Sequence, residues 1–307
     1  MACNIKMSRI DEILLNYKHR PQSVRAKLRD FLSAGKLGGS GKMVILPVDQ
    51  GFEHGPARAF SPNPAGYDPL YHPELAIEAG LSAYAAPLGF LEVAATEFPG
   101  QIPFILKVNN NDSLLSSKNP LSAITSGIED AINLGCHAIG FTIYPGSAHK
   151  NENFEQLRFM VREAHKNGLV AVVWSYPRGQ DIAKKNETGL DIVAYAAHIA
   201  AQMGADIIKI KPPTTNIGLS AAEKSYENVP KSTLTERVEH IIQTTFNGRR
   251  ITIFSGGVAK GTDELLNEIR EIHAGGGFGS IIGRNCFQRP KAEALELLDK
   301  IISIYKS

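Results

Sequence analysis

The sequence predicts a single α/β architecture: a TIM (β/α)8 barrel over residues 43–307, preceded by an N-terminal helical extension over residues 1–42. Three observations carry this expectation. Eight short apolar runs alternate with longer amphipathic ones, the pattern of a parallel sheet with crossover helices. Several helix-like segments end in glycine just before the next run, as at Gly135, Gly168 and Gly204, where a left-handed helix cap is expected. The open doubly wound sheet uses the same alternation, but no Gly-x-Gly-x-x-Gly turn follows the first run.

Taken in order, residues 7–35 read as helix, with Ile10, Ile13, Leu14, Val24, Leu28, Phe31 and Leu32 at roughly helical spacing. The glycines at 38, 39 and 41 end it. Strands are expected at 43–48, 83–86, 104–108, 138–143, 170–175, 206–211, 251–255 and 280–283. Helices are expected near 73–80, 90–97, 119–134, 152–167, 188–203, 232–247, 261–273 and 289–304. The Pro-rich stretch 51–72 reads as a long loop after the first strand, where barrels place functional segments. Nothing within 43–304 resembles a linker.

Composition narrows the function classes. Net charge is +2, from 33 Lys+Arg against 31 Asp+Glu, so neither a nucleic-acid nor a membrane-surface partner is indicated. Cys3, Cys136 and Cys286 form no CxxC pair, which points to a reducing cytoplasm rather than a disulfide framework or structural zinc site. No signal-like apolar segment opens the chain, and no uninterrupted apolar run approaches the roughly 18 residues of a membrane span. The nine histidines show no HxH or HExxH spacing, so neither a metal nor a cofactor is expected; His137, His198 and His240 read as structural.

Barrels draw catalytic groups from the C-terminal ends of their strands. The polar residues there are Asp49, Lys107, Tyr144, Trp174, Tyr176, Arg178, Lys209, Lys211, Ser255 and Arg284. Lys209 interrupts an apolar strand, where a lysine is uncommon unless paired or functional. Lys211 falls on the same face. Inside a barrel, desolvation and a neighbouring ammonium lower an amine pKa, and the neutral amine is the form that attacks a carbonyl. A lysine paired to a carboxylate is the alternative reading.

Asp49 ends the first strand and is placed either to contact a substrate or to cap the following turn. Glu53 and His54 share its loop, with His54 read as ordering it. Trp174 and Tyr176 put two rings on one face beside the Lys209 strand, either as core filling or as a positioning ring and a proton-transfer phenol. At the seventh and eighth strand ends, Ser255, Gly256, Gly257, Gly283 and Arg284 combine small residues with a guanidinium, suited to a phosphate.

Together, Asp49 to Gly55 (DQGFEHG), Tyr144 to Ser147 (YPGS), Trp174 to Gly179 (WSYPRG), Ile208 to Lys211 (IKIK), Ser255 to Gly257 and Gly283 to Asn285 resemble the archaeal-type class I fructose-1,6-bisphosphate aldolases, the DhnA/FbaB-like branch. The resemblance covers about residues 43–290. It implies a metal-independent, cofactor-free lyase that cleaves fructose 1,6-bisphosphate to dihydroxyacetone phosphate and glyceraldehyde 3-phosphate. It further implies Lys209 as Schiff-base lysine, Tyr176 in proton transfer, Trp174 in substrate positioning, Asp49 at the intermediate, and Ser255, Gly256, Gly257, Gly283 and Arg284 at phosphate. A homo-oligomer, often a decamer in such families, goes with it. The chain departs from archaeal members after Lys211, where it reads Pro-Pro-Thr-Thr-Asn and continues into an extended region over 212–235. Rival readings are a related Schiff-base barrel acting on another phosphorylated sugar, and a non-catalytic sugar-phosphate-binding protein.

Overall fold

Strict inside–outside alternation turns the apolar runs into a closed sheet. In β1 (Met43–Pro47), Met43 and Ile45 join the core within the barrel, whereas Val44 and Leu46 join the core between strands and helices. The remaining strands of this computed structural model, which describes residues 7–114, 117–256 and 261–307, behave alike. They are β2 (Ala83–Ala86), β3 (Phe104–Lys107), β4 (Ala138–Ile143), β5 (Val170–Ser175), β6 (Ile207–Ile210), β7 (Ile251–Ser255) and β8 (Gly279–Ile281). Each pairs in parallel with its sequence neighbour, and β8 closes onto β1. The eight expected strands therefore form the expected TIM barrel, each within two residues of its expected bounds.

The expected helix over 7–35 is two: α1 (Arg9–Leu15), capped by the Ser8 side chain, and α2 (Gln22–Ser33), which starts after Pro21. Proline disfavours helical backbone at the residue before it, so the chain turns there. Both helices lie across the N-terminal end of the barrel, where Ile13, Leu14, Val24, Leu28 and Phe31 share one core with Met43, Val170, Ile207 and Ile251. Tyr17 is the keystone. Its fully buried hydroxyl donates to the Asp206 carbonyl at 2.7 Å and accepts from the Ile251 amide at 2.9 Å. The Asp206 carboxylate takes Arg20 at 2.7 Å, His165 at 2.8 Å and the Ala171 amide at 2.9 Å.

Tyr17→Phe leaves a buried carbonyl and a buried amide unmatched. It is expected to cost about 1–3 kcal/mol, read as a lower urea midpoint with unchanged activity in the surviving folded protein.

Two other segments differ from expectation. The stretch 51–72, expected as loop, folds into α3 (Gln50–His54), α4 (Pro56–Phe60) and a 3-10 turn at Pro64–Tyr67. Pro56 opens α4 at a position that lacks a hydrogen-bond duty, so the proline that suggested a loop instead starts a helix. Outside the barrel sheet follow α5 (Tyr71–Ala79) and α6 (Leu88–Glu97). The expected helix at 119–134 is helical only over α7 (Ile128–Asn133); upstream, Ala123–Ile124 pairs antiparallel with Asn109–Asn110. The circuit is completed by α8 (Lys150–Lys166), α9 (Leu190–Gln202), α10 (Leu234–Thr244), α11 (Thr262–Ala274), α12 (Arg284–Phe287) and α13 (Lys291–Lys306). Among the described residues no helix is long and apolar enough to cross a membrane, and no cluster of three metal-ligating side chains occurs.

Candidate active site

A cavity of about 430 Å³ opens at the C-terminal ends of the strands. Lys209 reaches it from β6. Ile207, two residues earlier, belongs to the interior core, so the two-residue period sends the Lys209 side chain inward as well. It is 4% exposed, opposite Trp174 of β5 in the sheet register. Its Nζ lies 5.2 Å from the Trp174 ring centre and 5.3 Å from that of Tyr176, over the electron-rich faces that favour a cation.

Trp174 fits across the barrel because β4 offers bare backbone at Gly140, where a Cβ would come within 2.6 Å of the indole. The indole is buried and does not line the cavity; it forms a floor beneath the amine. Tyr176 does line the cavity.

Asp49 and Glu53 enter from the opposite side on α3. Asp49 occupies the N-cap position, yet its side chain makes no capping hydrogen bond, so the carboxylate is left to face the cavity. Glu53 lies one helical turn on, on the same face. Lys107, buried at the end of β3, donates to the Asn109 carbonyl at 2.6 Å and lies 5.6 Å from the Trp174 ring. Lys211 sits nearer the rim, 3.9 Å from the Glu187 carboxylate and 5.7 Å from the Tyr176 ring.

Burial sets the charge balance. Desolvation pulls the Lys209 ammonium from 10.5 to about 8, although Asp49 and Glu53 oppose it; the cation that adds to burial is Arg284. Lys211 is also drawn to about 8, first by burial and then by Arg178, with Glu187 opposing. Burial and the Asp49 charge push the Glu53 carboxyl up to about 7, against Lys107, Lys209 and Arg178. The Tyr176 phenol is held well above its ordinary value by burial, Asp49 and Glu53, while Arg178 and a Ser255 hydrogen bond act the other way.

The far wall comes from β7 and β8. Ser255, Gly256, Gly283 and Arg284 line the cavity there, and Gly257 lies outside the described residues. A Cβ on Gly283 would sit 2.9 Å from Gln50 Nε2 and 3.1 Å from the Pro47 carbonyl, so glycine lets this turn close on β1 without displacing either. Asn285 donates to the Gly256 carbonyl at 3.1 Å, tying the two loops together.

The fold thus brings Lys209, Tyr176, Asp49, Ser255, Gly256, Gly283 and Arg284 around one cavity, with Trp174 below. Sequence reading gave no role to Glu53, Lys107 or Asn285. For Glu53 the signal was its four-residue spacing from Asp49, visible only once the segment is known to be helical.

Residues 43–289 match the model of the DeoC/LacD family aldolases. The chain is 38% identical over 253 residues to the class 1 fructose-bisphosphate aldolase of Thermoproteus tenax, covering 82% of this chain and 86% of that one. It is 35% identical over 298 residues to a probable class 1 fructose-bisphosphate aldolase of Chlamydia trachomatis, covering 93% and 85%. The fold is similar, with a TM-score of 0.76 and 33% identity, to an archaeal fructose-1,6-bisphosphate aldolase whose catalytic lysine is covalently bound to the carbinolamine intermediate of the substrate, covering 91% of this chain and 98% of that one.

Proposed function

The chain belongs to the DeoC/LacD aldolase family, and from that premise we propose that Lys209 is the Schiff-base lysine of a class I fructose-bisphosphate aldolase. The observation that carries the assignment is a buried amine at a barrel strand end, lowered to about 8 and ringed by Asp49, Glu53 and Tyr176. Its relatives from Thermoproteus and Chlamydia carry the same activity in their names.

The neutral amine of Lys209 adds to the C2 ketone of fructose 1,6-bisphosphate, and loss of water gives a protonated imine. That cation draws electrons from the C3–C4 bond, which breaks as the C4 hydroxyl gives up its proton. Glyceraldehyde 3-phosphate departs, the enamine takes a proton at C3, and water releases dihydroxyacetone phosphate. Tyr176 moves protons at the reacting carbons, Asp49 faces the iminium, and Trp174 acts through Lys209 by holding the amine. Ser255, Gly256, Gly283 and Arg284 are assigned to a phosphate group. The iminium supplies the electron sink that a divalent cation gives in metal-dependent aldolases.

Residues 43–307 act as the catalytic barrel and 1–42 as its extension in this reading. Exposed rings on α8 and α9, Phe159 and Tyr195, support a homo-oligomer, and the buried free thiols of Cys136 and Cys286 support a reducing cytoplasm.

Borohydride trapping with dihydroxyacetone phosphate in excess EDTA, followed by peptide mass mapping, tests the assignment. The adduct is expected on Lys209. Its formation rate is expected to climb about tenfold per pH unit between roughly pH 5 and 7, because the neutral amine fraction does so below its pKa of about 8. An adduct elsewhere, or a flat profile, sinks the assignment.

A further inference from the structure

Asp49, the carboxylate placed at the iminium, is aimed by backbone rather than by a capping bond. Its side chain caps nothing, and its carbonyl accepts from the Phe52 and Glu53 amides at 3.2 and 3.1 Å, so the turn of α3 sets where the carboxylate stands. That turn is a helix of five residues, too short to hold its place alone.

Phe60, at the end of α4, supplies the seat. Its ring is 4% exposed and lies on the bare backbone of Gly51, where a Cβ would come within 2.8 Å of Cε2 and 3.0 Å of Cζ. The backbone of Gly51 is not left-handed, so what glycine provides here is room for the ring. Four rings hold Phe60 from behind. Between centres they are Tyr67 at 5.6 Å, His72 at 5.4 Å, Phe90 at 6.2 Å and Phe287 at 5.9 Å. They come from the 3-10 turn, α5, α6 and α12, so the ring has little room to yield. Hydrogen bonds tie the same parts together: Gln288 donates to the Ala59 carbonyl at 2.8 Å, and Asn63 donates to the Phe287 carbonyl at 2.9 Å. Since α12 opens with Arg284, the Asp49 turn and the Arg284 turn share one aromatic mount.

We propose that Phe60 is a positioning residue for the aldol reaction, acting through Asp49 by seating α3 on the aromatic mount so that the carboxylate stands at the iminium. This rests on the Lys209 reading. Phe60 does not line the cavity and touches no reacting group. The mount is unequal in what it supports. Arg284 keeps its place without Phe60, because Gly283 closes on Pro47 and Asn285 is bonded to the Gly256 carbonyl at 3.1 Å. α3 has no such second anchor on the Gly51 side. Loosening Phe60 therefore moves the carboxylate more than the phosphate wall, and a shift of about 1 Å in a group that must face the reacting atoms costs turnover up to about 10²-fold.

The test uses Phe60→Leu and Gly51→Ala, each alone and combined with Asp49→Asn. Phe60→Leu withdraws the ring, whereas Gly51→Ala pushes α3 off it. Alanine favours helix more than glycine does, so the second variant moves the turn without melting it. Borohydride trapping with dihydroxyacetone phosphate, run to its endpoint, counts the competent sites. Turnover of fructose 1,6-bisphosphate is then taken per trapped site, so a loss of folded protein drops out. Each single variant is expected to lower kcat by about 10- to 100-fold with KM within about threefold of the intact protein. In Asp49→Asn the group being aimed is already gone, and neither change should cost more than about threefold further. Three results overturn the role of Phe60 and leave Lys209 untouched: equal losses with and without the Asp49 carboxylate, a loss that falls on KM rather than kcat, or a Phe60→Leu loss larger than that of Asp49→Asn. So does a kcat within about threefold of the intact protein in both single variants. An intact protein that shows no adduct on Lys209 overturns the Schiff-base reading and this proposal with it.

Discussion

Lys209→Met is expected to lower kcat/KM for fructose 1,6-bisphosphate cleavage by roughly 10⁴- to 10⁶-fold, the scale seen when a covalent nucleophile is removed, and to abolish the borohydride adduct. The barrel should remain folded. Methionine has a similar length and no charge, and it suits the Trp174 floor. Stability should in fact rise at neutral pH. A folded-state pKa of about 8 against 10.5 means that the folded protein disfavours the ammonium, by about 3 kcal/mol. That penalty is fully present below about pH 8 and vanishes as pH climbs through 10.5, so the gain in melting temperature should fade over the same window. Binding of dihydroxyacetone phosphate should weaken far less than turnover, because Ser255 and Arg284 are untouched. Lys211→Met is the control. Both amines sit at about 8, so charge state does not separate them, whereas position does: Lys209 is sealed over Trp174 and Lys211 sits near the rim beside Glu187. Lys211→Met should keep the adduct. Loss of the adduct in Lys211→Met and its retention in Lys209→Met would reverse the assignment.

Lys209 was legible in the sequence because a strand buried on both faces excludes charge unless charge is used. Ile207, Ile208 and Ile210 supply the contrast that makes one lysine conspicuous. The same contrast marks Lys107 at the end of β3, but the sequence gives it no neighbours, and only closure of the barrel places it between Glu53 and Trp174. Strands were found by their apolar runs and by glycines after helices, both local signals. The segment after β1 was misread because Pro56 and Pro64 are equally at home in turns and at the first position of helices. Reading that segment as loop hid the Asp49–Glu53 spacing, since a four-residue interval has meaning only on a helix. Trp174 shows the opposite limit. Its parity with Tyr176 is plain in sequence, but depth is not: one ring reaches the cavity and the other lies beneath it, on a space that Gly140 leaves open across the sheet.

Tyr176→Phe is expected to reduce kcat by about 10²- to 10³-fold with a small change in KM, since it removes one oxygen and keeps the ring that faces Lys209 and Lys211. In the resting site the phenolate is costly, because burial and the Asp49 and Glu53 charges all disfavour it. The phenol therefore starts neutral, able to donate at once but to accept only after it has passed its proton on. Imine formation changes that balance. It converts the neutral amine of Lys209 into a fixed cation about 5 Å from the Tyr176 ring. One charge at that distance, at an effective dielectric near 20, stabilises a developing phenolate by about 3 kcal/mol, or roughly two pKa units. Relative to the neutral-amine form that attacks the substrate, this stabilisation arises only once the imine has formed, so it acts on the later steps and not on substrate binding. Adduct formation with dihydroxyacetone phosphate precedes C3–C4 chemistry, so Tyr176→Phe should trap on Lys209 at close to the normal rate while exchanging the C3 proton of dihydroxyacetone phosphate slowly. Equal slowing of trapping and exchange would place Tyr176 at the carbinolamine instead, and a kcat within about threefold of the intact protein would remove it from the proton path altogether.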